Sequence, residues 1–534
     1  MRFFKLTMIL FGAIALSMHA GCGANMHRDM SMAPAENASG SRIHGRDAIG
    51  LSSREEMDQL EPSNTEAYDH IDENDFLGVL QNPQSTFAID VDTASYSNVR
   101  RMLNDGIAPP AGAVRIEEMI NYFSYDYPQP TGPHPFSVVT DLATCPWAPG
   151  HQLVRIALKG KESIPSERPP SNLVFLLDVS GSMDSPRKLP LVKSALRLLI
   201  DNLDNRDSVS LAVYASASGL VLPPTTADQK SKILSAIDKL SAGGSTNGGQ
   251  GIHLAYKTAE KNFIQGGINR VILCTDGDFN VGISNQSDLV DLITEKAKSN
   301  IYLSVLGFGT GNYKDSTMEL LADKGNGNYA YIDNLLEARK SLVKQMGAML
   351  VTIAKDVKIQ IDFNPNRISA YRLIGYENRM LKSEDFEDDT KDAGEIGAGH
   401  TVTALYEIVP TGSNSQFTSN QTSDFVETKI KDNINPNVLL NVSLRYKRPE
   451  ETESIEFGTS LYHEKNSRPQ TASSDFQFAA SVAAFGMLLR SSKFAGDATY
   501  DWVLQNASNH RGEDQAGFRA EFIELVKRAR MTQK

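Results

Sequence analysis

From Asn172 to about Leu350 the chain alternates short apolar runs with stretches of helical period, and this alternation leaves few folds open. Leu173 to Leu177 is apolar throughout, as a strand buried on both faces must be. Lys188 to Leu203 follows, with Leu189, Val192, Leu196 and Ile200 along one helical face. The same reading predicts strands over 207–215, 219–222, 270–275, 301–307 and 329–332, and helices over 227–240, 251–262, 285–299 and 334–349. Apolar strands separated by amphipathic helices imply a mostly parallel sheet covered on both faces. The segment 171–350 is therefore expected to be a doubly wound α/β domain.

The sequence on either side reads differently. Before it, in 76–170, strands are expected at 85–92, 136–142 and 153–158, with helices at 94–104 and 114–123. Asp92 or Thr93 is placed to cap the first helix. Gly160 to Ser171, with Pro165, Pro169 and Pro170, reads as a boundary loop. After it, in 351–534, strands are expected at 357–363, 369–374, 401–409 and 438–446, then helices at 476–490 and 518–530. These are two strand-rich flanking domains of mixed α+β character. Their strands have the composition to pair into a single β-domain into which the α/β domain is inserted.

The amino terminus carries Arg2 and Lys5, then the apolar run Leu6 to Met18, the length of a signal-peptide core and short for a membrane span. Ala20-Gly21 precedes Cys22, a pattern that resembles a bacterial lipoprotein signal over 1–21, with Cys22 as the lipidated residue. His19 departs from that pattern, which has leucine or another apolar residue there, and an ordinary secretory signal cleaved nearby is the alternative. Both readings export the protein. With Gly23 in place of aspartate after the cysteine, the lipoprotein reading implies the outer membrane of a Gram-negative envelope, facing periplasm or exterior. Residues 22–75 are polar and turn-rich, which predicts a disordered tether reaching roughly 40 Å. No later segment approaches the ~20 apolar residues of a spanning helix, so membrane attachment is expected through lipid.

The net charge of −12 argues against nucleic acid as a partner, since such binders need a basic face. Three cysteines make neither a disulfide framework nor a zinc cluster. Cys145 and Cys274 read as free thiols, with a bridge between them left open.

In a doubly wound sheet ligands bind at the loops leaving the carboxyl ends of the strands. Three such loops here are rich in oxygen donors: Asp178-Val179-Ser180-Gly181-Ser182, Gly243 to Gly249, and Asp276-Gly277-Asp278. An Asp-x-Ser-x-Ser run followed by a distal threonine and a distal aspartate resembles the metal-ion-dependent adhesion site of the von Willebrand factor type A (VWA) family. Matched residue by residue, the expected ligands are Asp178, Ser180, Ser182, Thr246 and Asp276. A hard cation that takes about six oxygens and keeps waters readily suits this set, so the resemblance implies Mg²⁺ or Mn²⁺. Neutral hydroxyls leave such an ion electrophilic at an open position, where an acidic side chain of a partner protein can bind. Asp184 and Asp278 are read as solvated loop residues.

The stretches Ser85 to Tyr96, Val114 to Phe123 and Tyr371 to Arg379 resemble a bacterial family of exported VWA proteins whose own amino- and carboxyl-terminal regions bracket the A domain. The likeness runs over roughly residues 75 to 530 and assigns no activity to the flanks. In related domains ligand engagement is coupled to displacement of the last helix, here the helix expected at 334–349.

Nothing points to catalysis: H-E-x-x-H, Walker A and G-x-S-x-G motifs are absent. His253 is read as structural, and the acidic run from Asp385 to Glu395 fails the EF-hand pattern because Thr390 occupies the required glycine position. The expectation is an envelope-anchored, non-enzymatic protein that binds a protein ligand through a metal ion. An envelope scaffold with a folding-only ion and an accessory subunit of an enzyme complex are the alternatives, and oligomeric state stays open.

Overall fold

The computed structural model describes residues 66–89, 92–162, 168–245, 248–277, 286–311, 313–345, 350–391, 393–413, 430–449, 451–463 and 472–532. All lie in one compact unit, Glu61–Lys534. Cys22 and most of the predicted tether fall outside the described residues.

The amino-terminal flank supplies β1 (Leu77–Gly78), β2 (Gln84–Ala88), α1 (Ala94–Asn104), α2 (Ile116–Asn121), β3 (Phe136–Thr144) and β4 (Gln152–Gly160). The α/β segment follows as β5 (Ser171–Asp178), α3 (Leu189–Asp201), β6 (Ser208–Tyr214), β7 (Ser218–Thr226), α4 (Lys230–Asp238), α5 (Gly248–Lys261), β8 (Ile268–Thr275), α6 (Gln286–Lys298), β9 (Tyr302–Phe308), α7 (Asp315–Lys324), β10 (Tyr329–Ile332) and α8 (Leu335–Arg339). The carboxyl-terminal flank adds β11 (Thr352–Phe363), β12 (Ile368–Ile374), β13 (Met380–Leu381), β14 (Ile396–Gly397), β15 (Thr401–Pro410), β16 (Val438–Lys447) and β17 (Ser454–Tyr462). It ends in helices α9 (Ser474–Arg490), α10 (Tyr500–Asn509) and α11 (Phe518–Thr532).

The α/β segment is the doubly wound sheet expected. Its strand order is β10-β9-β8-β5-β6-β7, with every pairing parallel except the β6–β7 edge. Alternate residues of β5 enter different cores, as a two-fold side-chain period requires. Leu173, Phe175 and Leu177 pack with α3, α4 and α8, while Val174 and Leu176 pack with α5, α6 and α7.

The flanks share their sheets. One runs β1-β12-β15-β4-β3 and the other β13-β2-β11-β16-β17, all antiparallel, so each combines strands from before and after the α/β segment. A common core of Phe87, Ile156, Ile359, Tyr406 and Val442 joins the two sheets into a sandwich. The outer face of the first sheet is covered by α1, α2, α9, α10 and α11 through Phe123, Ala157, Leu405, Phe485 and Phe522. The two flanking segments are thus one folded body with the α/β segment inserted in it.

Several expectations change. Asp92 does not cap α1. Thr93 holds the cap position without a side-chain bond, and Asp92 instead accepts from the Tyr329 amide at 2.9 Å. Residues 66–75, assigned to the tether, are bound to the folded body: Ala67 donates to the Tyr313 carbonyl and Glu66 pairs with buried Arg101 at 2.8 Å. Those anchors are polar and invisible to hydrophobic patterning. Within the helix predicted over 334–349, the described residues form α8 followed by one π-helical turn, Lys340–Lys344, closed by the Gln345 amide on the Lys340 carbonyl, and 346–349 lie outside the described residues. The helix expected at 114–123 spans only α2, while α7, α10 and β17 were not expected. Cys145 and Cys274 are both free and buried, which closes the question of a bridge. Among the described residues no helix is long and apolar enough to cross a membrane.

Candidate metal centre

Strands β5 and β8 are parallel neighbours with Leu177 opposite Cys274, so Asp178 and Asp276 leave the same edge of the sheet side by side. Both carboxylates are fully buried. One Asp178 oxygen accepts the Ser180 amide at 2.8 Å, and Ser180 and Ser182 place their hydroxyls 3.0 Å apart. The second loop is laced onto the first: the Gly181 amide donates to the Gly244 carbonyl at 2.9 Å and the Gly243 amide to the Val179 carbonyl at 2.8 Å. Gly244 has φ +87°, and a Cβ there would collide with Ser216 of the β6–β7 turn, so this loop's conformation and its packing on that turn depend on glycine.

The structure thus brings Asp178, Ser180, Ser182 and Asp276 to one corner. Thr246 and Asp278 lie outside the described residues, and Asp184 is exposed at the rim beside Gly181. His253 is also exposed, on α5.

Lys188 was read in the sequence only as the start of a helix. Its ammonium donates to Asp276 Oδ2 at 2.8 Å, in a pair buried on both sides. The lysine stem crosses Gly309, at the end of neighbouring β9, whose φ of +79° and missing side chain leave the room it needs. The available signal was a glycine after a parallel strand facing a lysine from the first loop, a pairing visible only once strand order is known.

Electrostatically the corner is short of positive charge. Among the described residues two buried carboxylates face one ammonium, and the donors to the Asp178 carboxylate, Ser180 and Tyr214, are neutral. Burial pushes the Asp178 carboxyl up to about 6, with hydrogen bonds from Ser180 and Tyr214 opposing and the charge of Asp276 adding to the rise. A buried carboxylate without a cationic partner costs several kcal/mol, so a divalent cation among these oxygens suits the donor set. The rim residues Gly181, Gly243, Gly244 and Ser245 are exposed, which leaves the corner open to solvent.

A doubly wound sheet with this donor run leaving its central strand defines a von Willebrand factor type A domain. The sequence comparisons agree: the model of the von Willebrand factor type A domain matches residues 172–345, one described as von Willebrand factor matches 62–155, and one described as "Uncharacterized protein YfbK, C-terminal" matches 348–532. Over 474 residues the chain is 42% identical to the "Uncharacterized protein YfbK" of Escherichia coli (strain K12), covering 87% of this chain and 81% of that one. The chain belongs to this YfbK family of VWA proteins. It is also 32% identical over 148 residues to human inter-alpha-trypsin inhibitor heavy chain H4, spanning 26% of this chain and 16% of the relative. A solved structure, the von Willebrand factor type A protein from Catenulispora acidiphila, is 17% identical with a TM-score of 0.41 and covers 74% of this chain and 91% of that one.

Proposed function

We propose that this chain is an exported, lipid-anchored adhesion or assembly protein, without enzymatic activity, that binds a partner protein through a divalent cation. VWA domains serve protein–protein interaction in general, and the two buried carboxylates Asp178 and Asp276, facing one ammonium among the described residues, carry the finer reading. Asp178, Ser180, Ser182, Thr246 and Asp276 would hold Mg²⁺ or Mn²⁺. Bound there, the ion supplies an electrophilic position for an acidic side chain of the partner. The protein's own contribution is to bury the two carboxylates, fix the hydroxyls through the laced loops and keep the rim open. Cys22 would carry the lipid and hold the protein in the cell envelope, facing periplasm or exterior.

The test is capture from envelope extract by the full-length chain, with Mg²⁺ or EDTA, using wild type and Asp178→Ala. A partner lost under both chelation and mutation is the expected result. The same partners in every lane would refute metal-mediated adhesion. Metal dependence of the melting temperature alone would leave the ion a folding role. Membrane release of Cys22→Ala tests the anchor separately.

A further inference from the structure

Away from the metal corner, a cavity of about 690 Å³ opens where the π-helical turn meets the β14–β15 connection and the start of α11. The chain carries a net charge of −12, yet five cationic side chains line this cavity: Lys159, Arg168, Lys340, Lys344 and Arg519, with His400 among them. Three of the five have acidic partners. Lys159 pairs with Glu162 at 3.1 Å, Arg168 with Asp207 at 2.6 Å and Arg519 with Asp475 at 2.6 Å.

Lys340 is different. It is 4% exposed, and its ammonium has no hydrogen-bond partner among the described residues. Glu337, one turn earlier, is already engaged by Arg100 at 2.8 Å and by the Tyr122 hydroxyl at 2.7 Å. The lysine rests on the Tyr122 ring, 3.0 Å from its centroid. A ring face replaces only part of the hydration a buried ammonium loses. The π turn also brings Lys344 round, so that both ammonium groups stand 5.7 Å from the Phe518 ring centroid. Such turns are common at functional sites.

The acidic residues of the lining do not answer this charge. Glu162 is held by Lys159, Asp514 accepts the Ala520 amide at 2.8 Å in the first turn of α11, and Glu513 is exposed. Burial pushes the Lys340 ammonium down to about 7. Burial, with the charges of Lys159 and Lys340 behind it, pushes His400 down to about 4. Burial outweighs the opposing charges of Glu337 and Glu521 at Lys340, so both groups are held away from their charged forms and an added anion would favour those forms.

We propose that this cavity binds a small organic anion, a carboxylate or phosphate group on an apolar body, with its charge at Lys340, Lys344 and His400 and its apolar part against Phe518 and Phe123. None of its lining residues belongs to the metal corner.

Titration calorimetry of the full chain with phenyl phosphate, benzoate and inorganic phosphate, at ionic strength held constant with chloride, tests it. Saturable binding of phenyl phosphate or benzoate is expected, at least tenfold weaker in Lys340→Met and several-fold weaker in Lys344→Gln. Which of the two binds tighter identifies the charged group. Lys344 is exposed, so its variant keeps the test open if Lys340→Met fails to fold. No saturable binding by wild type, undiminished binding in the variants, or inorganic phosphate binding as well as phenyl phosphate overturns the proposal.

Discussion

Two buried charged clusters in the α/β domain use the same residue types to opposite ends. At the metal corner Asp178 and Asp276 face one ammonium among the described residues, and the donors to Asp178 are the neutral Ser180 and Tyr214. At the seam with the flanks, carboxylates meet guanidinium groups. Arg100 of α1 donates to Asp333 and Glu337 of the α/β domain, to Glu521 of α11 at 3.1 Å and to the Tyr122 hydroxyl at 2.8 Å. Arg115 reaches Asp315 at 3.2 Å as well as Glu319, and Arg379 joins Glu319 at 2.8 Å and Asp323 at 2.7 Å. A planar fork with five donors satisfies several acids in one geometry. The guanidinium forks thus tie three parts of the chain together at the seam, whereas the corner sets two acids against one ammonium among the described residues.

The strongest way to break this contrast is at Arg100. Arg100→Met would strand Asp333 and Glu337 in the interior, and removing one partner of a buried ion pair costs about 3–5 kcal/mol. Arg100→Lys should recover little, since a point charge cannot replace the fork. Urea unfolding of both variants checks this. A loss below about 1 kcal/mol would mean that the seam is not what joins the α/β domain to the flanks.

The next effect belongs to the corner. If it needs an ion, Mg²⁺ at a hundredfold excess over its dissociation constant stabilises the fold by about 2.7 kcal/mol. Asp178→Ala should abolish that gain. Without metal, Asp178→Asn should be at least as stable as wild type, because the buried charge is gone. Equal Mg²⁺-induced shifts in melting temperature for wild type and Asp178→Ala would remove the contrast altogether.

Lys188 sharpens the comparison, being a cation on the acidic side of it. Its ammonium holds Asp276 and would repel a divalent ion, so Lys188→Met is expected to tighten Mg²⁺ binding about tenfold, or ~1.4 kcal/mol. Calorimetric titration with Mg²⁺ measures this directly. Weaker binding in the variant would instead make Lys188 a group that positions Asp276 for the ion.

The same contrast explains what was readable in the sequence. Hydrophobic period exposed the α/β sheet, because β5 is apolar on both faces, and the motif residues Asp178, Ser180, Ser182 and Asp276 fall at strand ends that this period locates. Helix α7 stayed hidden because its buried face includes Asp315 and Glu319, which become buriable only beside Arg115 and Arg379. Edge strand β17 hid for a related reason, since most of its side chains stay partly or fully exposed. The pairing of the flanks depends on contacts such as the Thr403 amide on Asn121 at 2.7 Å, 282 residues apart, which no local pattern encodes. Lys188 and Lys340 were unreadable in the same way: a lysine at the start or end of a helix looks solvated until its neighbours are known.

The smallest predicted effect is the control for the largest. Arg187, in the loop after Asp178, donates to both Asp105 oxygens at 2.8 and 3.0 Å and so also joins the α/β domain to the end of α1. Unlike Arg100 it is half exposed, at 52% of its side chain. Water and salt screen such a pair, and Arg187→Ala should cost roughly 0.5 kcal/mol. The hydrogen bonds from Arg187 hold the Asp105 carboxyl below its ordinary value. A carboxyl depressed in the folded state contributes stability above the unfolded value, and loses it as pH falls through the folded one. The difference between wild type and Arg187→Ala should therefore be present at pH 7, shrink on acidification below about 4 and shrink again in about 1 M salt, where charges are screened within ~3 Å. Thermal unfolding across that pH and salt range checks it. If Arg187→Ala costs as much as Arg100→Met, burial is not what makes one bridge a lock and the other a surface contact.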